Sequence, residues 1–113
     1  MTDRARPPHR RHCEAHAFEF AGIAYVGKIS RNETGAIVEC FLDATSVKPT
    51  SPVAFIAHAL ATVASIALQR GATAEELRHG LPRVDIPGSG KSEAADPLGR
   101  LLEIVNAQQE GNP

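Results

Sequence analysis

The chain has 113 residues, with 42% hydrophobic and 22% charged residues and a formal charge of −1. That is enough chain for one domain burying roughly two thirds of its unfolded surface, and it argues against a globally basic nucleic-acid binder. Two cysteines, Cys13 and Cys40, make no disulfide framework and point to a reducing cytoplasm. No run of ~18 apolar residues is free of polar groups, which argues against a membrane span. No secretory signal opens the chain.

Charge divides the chain. Residues 1–12 hold Arg4, Arg6, Arg10 and Arg11 against the single acid Asp3, while the remainder is net acidic. With Pro7, Pro8 and no hydrophobic periodicity, residues 1–13 read as a disordered basic arm. Its four Arg are the candidate nucleic-acid contacts, of a salt-sensitive and sequence-independent kind. The acidic body opposes that role, and no aromatic pattern for stacking bases accompanies it.

A β-meander follows. Residues 16–20 alternate, with His16, Phe18 and Phe20 on one face, and Ala21-Gly22 is a two-residue turn candidate. The second strand, 23–31, puts Ile23, Tyr25 and Ile29 on one face. Residues 32–35 are a polar turn ending in Gly35. The third strand, 36–43, sets Val38, Cys40 and Leu42 against Ile37, Glu39 and Phe41. Period 2, β-branched content and close turns predict antiparallel pairing.

The period then changes. Ser51 is a helix cap with Pro52 at the first position, and residues 52–70 form the strongest helix signal. Its polar residues His58, Thr62, Ser65 and Gln69 fall in one narrow stripe; the rest is Ala, Val, Ile, Leu and Phe, so the helix must be covered on most sides. Gly71 suits the C-terminal cap. Thr73 with Glu76 opens a second helix, ending at Gly80. Residues 82–95, rich in Gly, Ser and Pro, read as a loop. Asp96-Pro97 begins a last helix through about Gln109, with Leu98, Leu101, Leu102 and Val105 at helical spacing. The expected class is α+β: a small antiparallel meander of three or so strands packed on one long apolar helix, then two shorter helices, as a single domain over 14–109 with a tail at 110–113.

Several constellations carry candidate chemistry. Residues 87–92, Pro-Gly-Ser-Gly-Lys-Ser, resemble a phosphate loop, but the first glycine of that motif would fall at position 85, where Asp85 repels phosphate. His9, His12, Cys13 and His16 cluster with one C-x-x-H spacing, yet no second ligand pair completes a tetrahedron, so no metal and no cofactor are expected. Cys40 reads as a small buried hydrophobe. Glu39, central in its strand, needs a solvent face or a partner such as Lys28 across the hairpin, and is a candidate binding residue. The stripe His58, Thr62, Ser65, Gln69 is the candidate lining of a ligand groove, with a solvent edge or a polar dimer seam as the structural alternatives. No Ser/His/Asp triad has an elbow context.

The run at 64–71, Ala-Ser-Ile-Ala-Leu-Gln-Arg-Gly, followed by Ala-Glu-Glu-Leu-Arg-His-Gly-Leu at 74–81, resembles the helix–Gly–helix core of TSCPD domains. Upstream, the strand Gly-Ala-Ile-Val-Glu-Cys-Phe at 35–41 is similar to that family's Gly-then-Glu-Val-Phe strand. Downstream, Ala94-Ala95-Asp96-Pro97-Leu98 stands where the family carries Ser-Cys-Pro-Asp-Ala. The likeness spans about residues 18–105. It implies an accessory module of the kind found at the C-terminal end of some ribonucleotide reductases, chiefly the cobalamin-dependent class, or free-standing. The family's cysteines have no counterparts near Gly22, after Leu81 or before Asp96, so no zinc or redox role is implied. The function expected is a non-catalytic module acting through protein–protein contact, with a groove beside the stripe as the alternative. Self-association as a homodimer is expected through a strip around Phe55, Ala59 and Val63.

Overall fold

In the computed structural model the structure describes residues 12–110, excepting the side chains of 12, 109 and 110. The Arg-rich arm with Arg4, Arg6, Arg10 and Arg11, together with His9 and residues 111–113, lies outside the described residues. The architecture is α+β: strands β1 (His12–Phe20), β2 (Ile23–Arg31) and β3 (Ile37–Ala44), helices α1 (Pro52–Gln69) and α2 (Ala74–Gly80), strands β4 (Arg83–Ile86) and β5 (Lys91–Ala94), and helix α3 (Pro97–Glu110). β1, β2 and β3 form an antiparallel sheet in that order, and β4 pairs with β5 in a separate hairpin.

Two elements differ from the sequence reading. β1 begins at His12, four residues before the first clear alternation, because Glu14 faces the same side as Phe18 and joins Arg31 there. Residues 82–95 are a hairpin rather than a loop. Turn residues 87–90 hold Gly88 and Gly90 at positive φ, and Ser89 Oγ donates to Ile86 O and accepts from Lys91 N–H. The would-be phosphate loop therefore spends those groups on its own turn. Arg83 fastens the hairpin to α3 by an ion pair with Glu103 at 2.6 Å, and also donates to Ser92 Oγ and O.

The β1–β2 turn has Ala21 at φ 52 and Gly22 at φ 80. Both central residues of a type I′ turn need positive φ, which glycine and asparagine adopt readily and alanine does not. Ala21→Asn should therefore stabilise the domain by about 1 kcal/mol, worth roughly 4–8 °C in melting temperature. A thermal melt with unchanged or lowered midpoint would contradict this account of the turn. At the second turn Asn32 Oδ1 accepts from Thr34 N, Thr34 Oγ1 and Ala36 N. A bulge between Ser30 and Arg31 follows from pairing Ser30 with Glu39 but Arg31 with Ile37, leaving Val38 extra. It reverses the alternation, so Ile37 packs on the core with Cys40 rather than sharing the outer face of Glu39 and Phe41.

The core lies between the sheet's inner face and the two longer helices. Ile29, Leu42, Cys40, Leu98 and Leu101 are its largest fully buried side chains. α3, rather than the long helix, crosses β1 and β2, burying Leu98, Leu101, Leu102 and Val105. Its Leu101 seats over Gly27, where a Cβ would stand 2.5 Å from Leu101 Cδ2. α1 runs beside β3 and approaches it through Ala57, Ala61 and Ala64, all buried. Ser51 caps α1, its Oγ accepting from Ala54 N; Gly71 at φ 111 and Ala72 N–H bonding Ala67 O end it. Thr73 and Glu76 close a capping box on α2.

Candidate functional site

The structure divides the polar stripe. Ser65 turns inward and is buried, while His58, Thr62 and Gln69 are exposed. Ser65 Oγ donates to Cys40 O and accepts from Cys40 N–H, both at 2.9 Å. These two backbone groups point away from β2, at the open edge of β3, so the hydroxyl replaces the missing neighbouring strand at that residue. Thr62 Oγ1 donates to His58 O, one turn back on the same helix. Glu39 stands on the outer face of the sheet opposite Ser30, and Lys28 opposite Phe41, so Lys28 and Glu39 are diagonal rather than facing. Stripe and Glu39 are not brought together around one point.

Burial pushes the Cys40 thiol up from its ordinary range, against the hydrogen bond from Ser65. Cys13 and His16, three apart on β1, fall on opposite faces of the strand, so the C-x-x-H spacing does not converge. His16 instead joins Glu14 at 2.9 Å, and Glu14 joins Arg31 at 2.9 Å. The hydrogen bond from Arg31 holds the Glu14 carboxyl below its ordinary range, more than partial burial raises it. A carboxylate depressed on folding contributes stability above its unfolded value, about 4.3, and that stability is lost as pH falls through the lower folded value. Glu14→Gln should thus lower stability at pH 7 and flatten its acid dependence; urea midpoints measured from pH 7 to pH 3 with the same slope in both proteins would contradict it.

The feature that stands out is the outer face of α1. Phe55 is 60% exposed, Ile56 66%, Val63 64% and Ile66 53%, with the small Ala59 exposed among them. They line one side of a helix with no Asp, Glu, Lys or Arg from Pro52 to Gln69. Phe55, Ala59 and Val63 are the strip expected from the sequence; Ile56 and Ile66 widen it. Together the four large side chains expose on the order of 400 Å² of apolar surface, within the range of the largest patch on a monomer, which is often functional. α1 is also, among the described residues, the helix long and apolar enough to cross a membrane by length and composition, at mean hydropathy 1.6. In the structure it is instead joined to the edge of β3 through Ser65.

The chain matches no protein-family model, no curated protein and no solved structure.

Proposed function

We propose that this protein is a non-catalytic binding module acting through protein–protein contact, and that the outer face of α1 pairs with the same face of a second copy. The carrying observation is that unbroken apolar strip, four large side chains each more than half exposed. Absence of formal charge along α1 favours a partner that is itself uncharged there, since no opposite charge is called for and none would be desolvated. The strip is also self-complementary. An antiparallel two-fold pairing centred at the level of Ala61 sets Ala59 of one copy level with Val63 of the other, small against large, and Ile56 level with Ile66. The four side chains alone supply about half of the ~800 Å² per partner of a standard interface.

Light scattering at micromolar concentration should give twice the 12.0 kDa of one chain. Val63→Glu should give a folded monomer with unchanged circular dichroism, because Val63 is outside the core. A wild-type mass of one chain would overturn the pairing, and so would vesicle binding in place of self-association.

The reductase-associated role is part of the same reading. It draws on the resemblance of residues 64–81, which in the structure are the end of α1, its glycine cap and α2. Co-elution of the purified chain with a cobalamin-dependent ribonucleotide reductase, lost in Val63→Glu, is the matching test. A cytoplasmic setting agrees with two free thiols, Cys13 exposed and Cys40 buried.

A further inference from the structure

A cleft of about 490 Å³ opens where the β2–β3 turn, the end of α1, the start of α2 and one side of α3 meet. It contains none of His58, Thr62, Ser65, Gln69 or Glu39, and it is separate from the strip on α1. Its size falls in the range of small-molecule sites. Ile37, Leu68 and Val105 supply apolar walls, while Arg31, Arg78 and Asn106, with the carboxylate of Glu75 beside Arg78, supply polar groups.

Each arginine is fixed by its own carboxylate, yet keeps one nitrogen over. Arg31 Nε donates to Glu14 at 2.9 Å and Nη1 to Gly35 O at 2.9 Å, leaving Nη2. Arg78 Nε and Nη2 donate to Glu75 at 3.3 and 2.7 Å, leaving Nη1. Both side chains are largely shielded, at 13% and 22% exposure. Two guanidinium groups already held in position lose little rotamer freedom on taking up a further acceptor. Glu14 and Glu75 balance both guanidinium charges, so what the cleft offers is N–H donors without net positive charge, which suits a singly charged acceptor better than a dianion such as phosphate. The apolar walls favour a hydrocarbon body behind that charge.

We propose that this cleft binds a small organic monocarboxylate with an apolar body, its carboxylate received by Arg31 and Arg78 and its hydrocarbon part lying against Ile37, Leu68 and Val105. Asn106 is placed to hydrogen-bond a polar substituent.

The test uses 3-phenylpropionate as the probe, with its uncharged amide, propionate and inorganic phosphate as comparisons. Titrations are followed by amide NMR shifts of the full chain. The expected result is saturable shifts at Gly35, Ala36, Ala72 and Asn106 with 3-phenylpropionate, and at least tenfold weaker binding of the amide and of propionate. Arg78→Gln should weaken the probe at least tenfold, with the rest of the spectrum unchanged. Arg78 is the arginine to change because Arg31 also holds β1 through Glu14. If Arg78→Gln fails to fold, the comparison of acid with amide in the wild type still decides. The proposal is overturned if acid and amide bind alike, if phosphate binds better than the probe, if shifts occur only at Val63 and Ile66, or if no shift saturates.

Discussion

Ser65→Ala is expected to cost about 2–4 kcal/mol, because it leaves a buried N–H and a buried C=O of Cys40 without partners, each worth ~1–3 kcal/mol. One oxygen serves both groups, so removal of one atom creates two unmet demands. Against a total stability of roughly 5–15 kcal/mol for a domain, this is a large fraction. Thr62→Ala, one turn away on α1, is the control. Its hydroxyl bonds His58 O on an exposed face, where water replaces it, and the change should stay within about 0.5 kcal/mol. Urea unfolding of both variants checks the pair, and equal losses would show that Ser65 does not serve the edge of β3.

Gly27 is the second position where one side chain decides. A methyl group there would stand 2.5 and 2.6 Å from the two terminal carbons of Leu101, which is wholly buried, so the leucine must shift within the core. Gly27→Ala should cost about 1–3 kcal/mol by overpacking, and Gly27→Val more. Leu101→Ala alone should cost ~2–5 kcal/mol through the cavity it leaves. In the double variant the new methyl group occupies part of that cavity. Its loss should be at least about 1 kcal/mol smaller than the sum of the single losses, within the range of coupling between touching residues. Strict additivity in a double-mutant cycle would mean that α3 does not seat on β2 at this point.

The meander, the long helix, its Ser51 cap and the Thr73 capping box are written in local pattern and were readable from it. What was not readable depends on neighbours distant in sequence. Ser65 lies in the same stripe as His58 and Thr62, and a helical projection does not say that the edge of β3 will arrive on its side. In the β4–β5 hairpin the alternation is confined to the four residues of β4, Arg83, Val84, Asp85 and Ile86, all exposed, too short a signal beside the Gly- and Ser-rich turn, and the segment reads as a loop. The bulge at Val38 inverted the facing of Ile37, since period 2 carries no warning of an extra residue. Of the apolar strip, Phe55, Ala59 and Val63 could be named from spacing; Ile56 and Ile66 required knowing that α3 covers β1 and β2 and leaves the outer side of α1 open. Arg31 and Arg78 gave no signal at all, one at a strand end and the other in an ordinary Glu–Arg helix pair.

The seat of Leu101 on Gly27 also sets an order of events. β1, β2, β3 and α1 are consecutive, and each packs on the element beside it in the chain, so their contacts close short loops and form early. α3 must return across α1, α2 and the hairpin to reach the sheet. On the ribosome the inner face of the sheet, with Tyr25, Ile29 and Leu42, emerges well before the helix that covers it. A nascent chain halted after α1 therefore presents a bare hydrophobic face, which makes that interval the one in which a chaperone has something to hold.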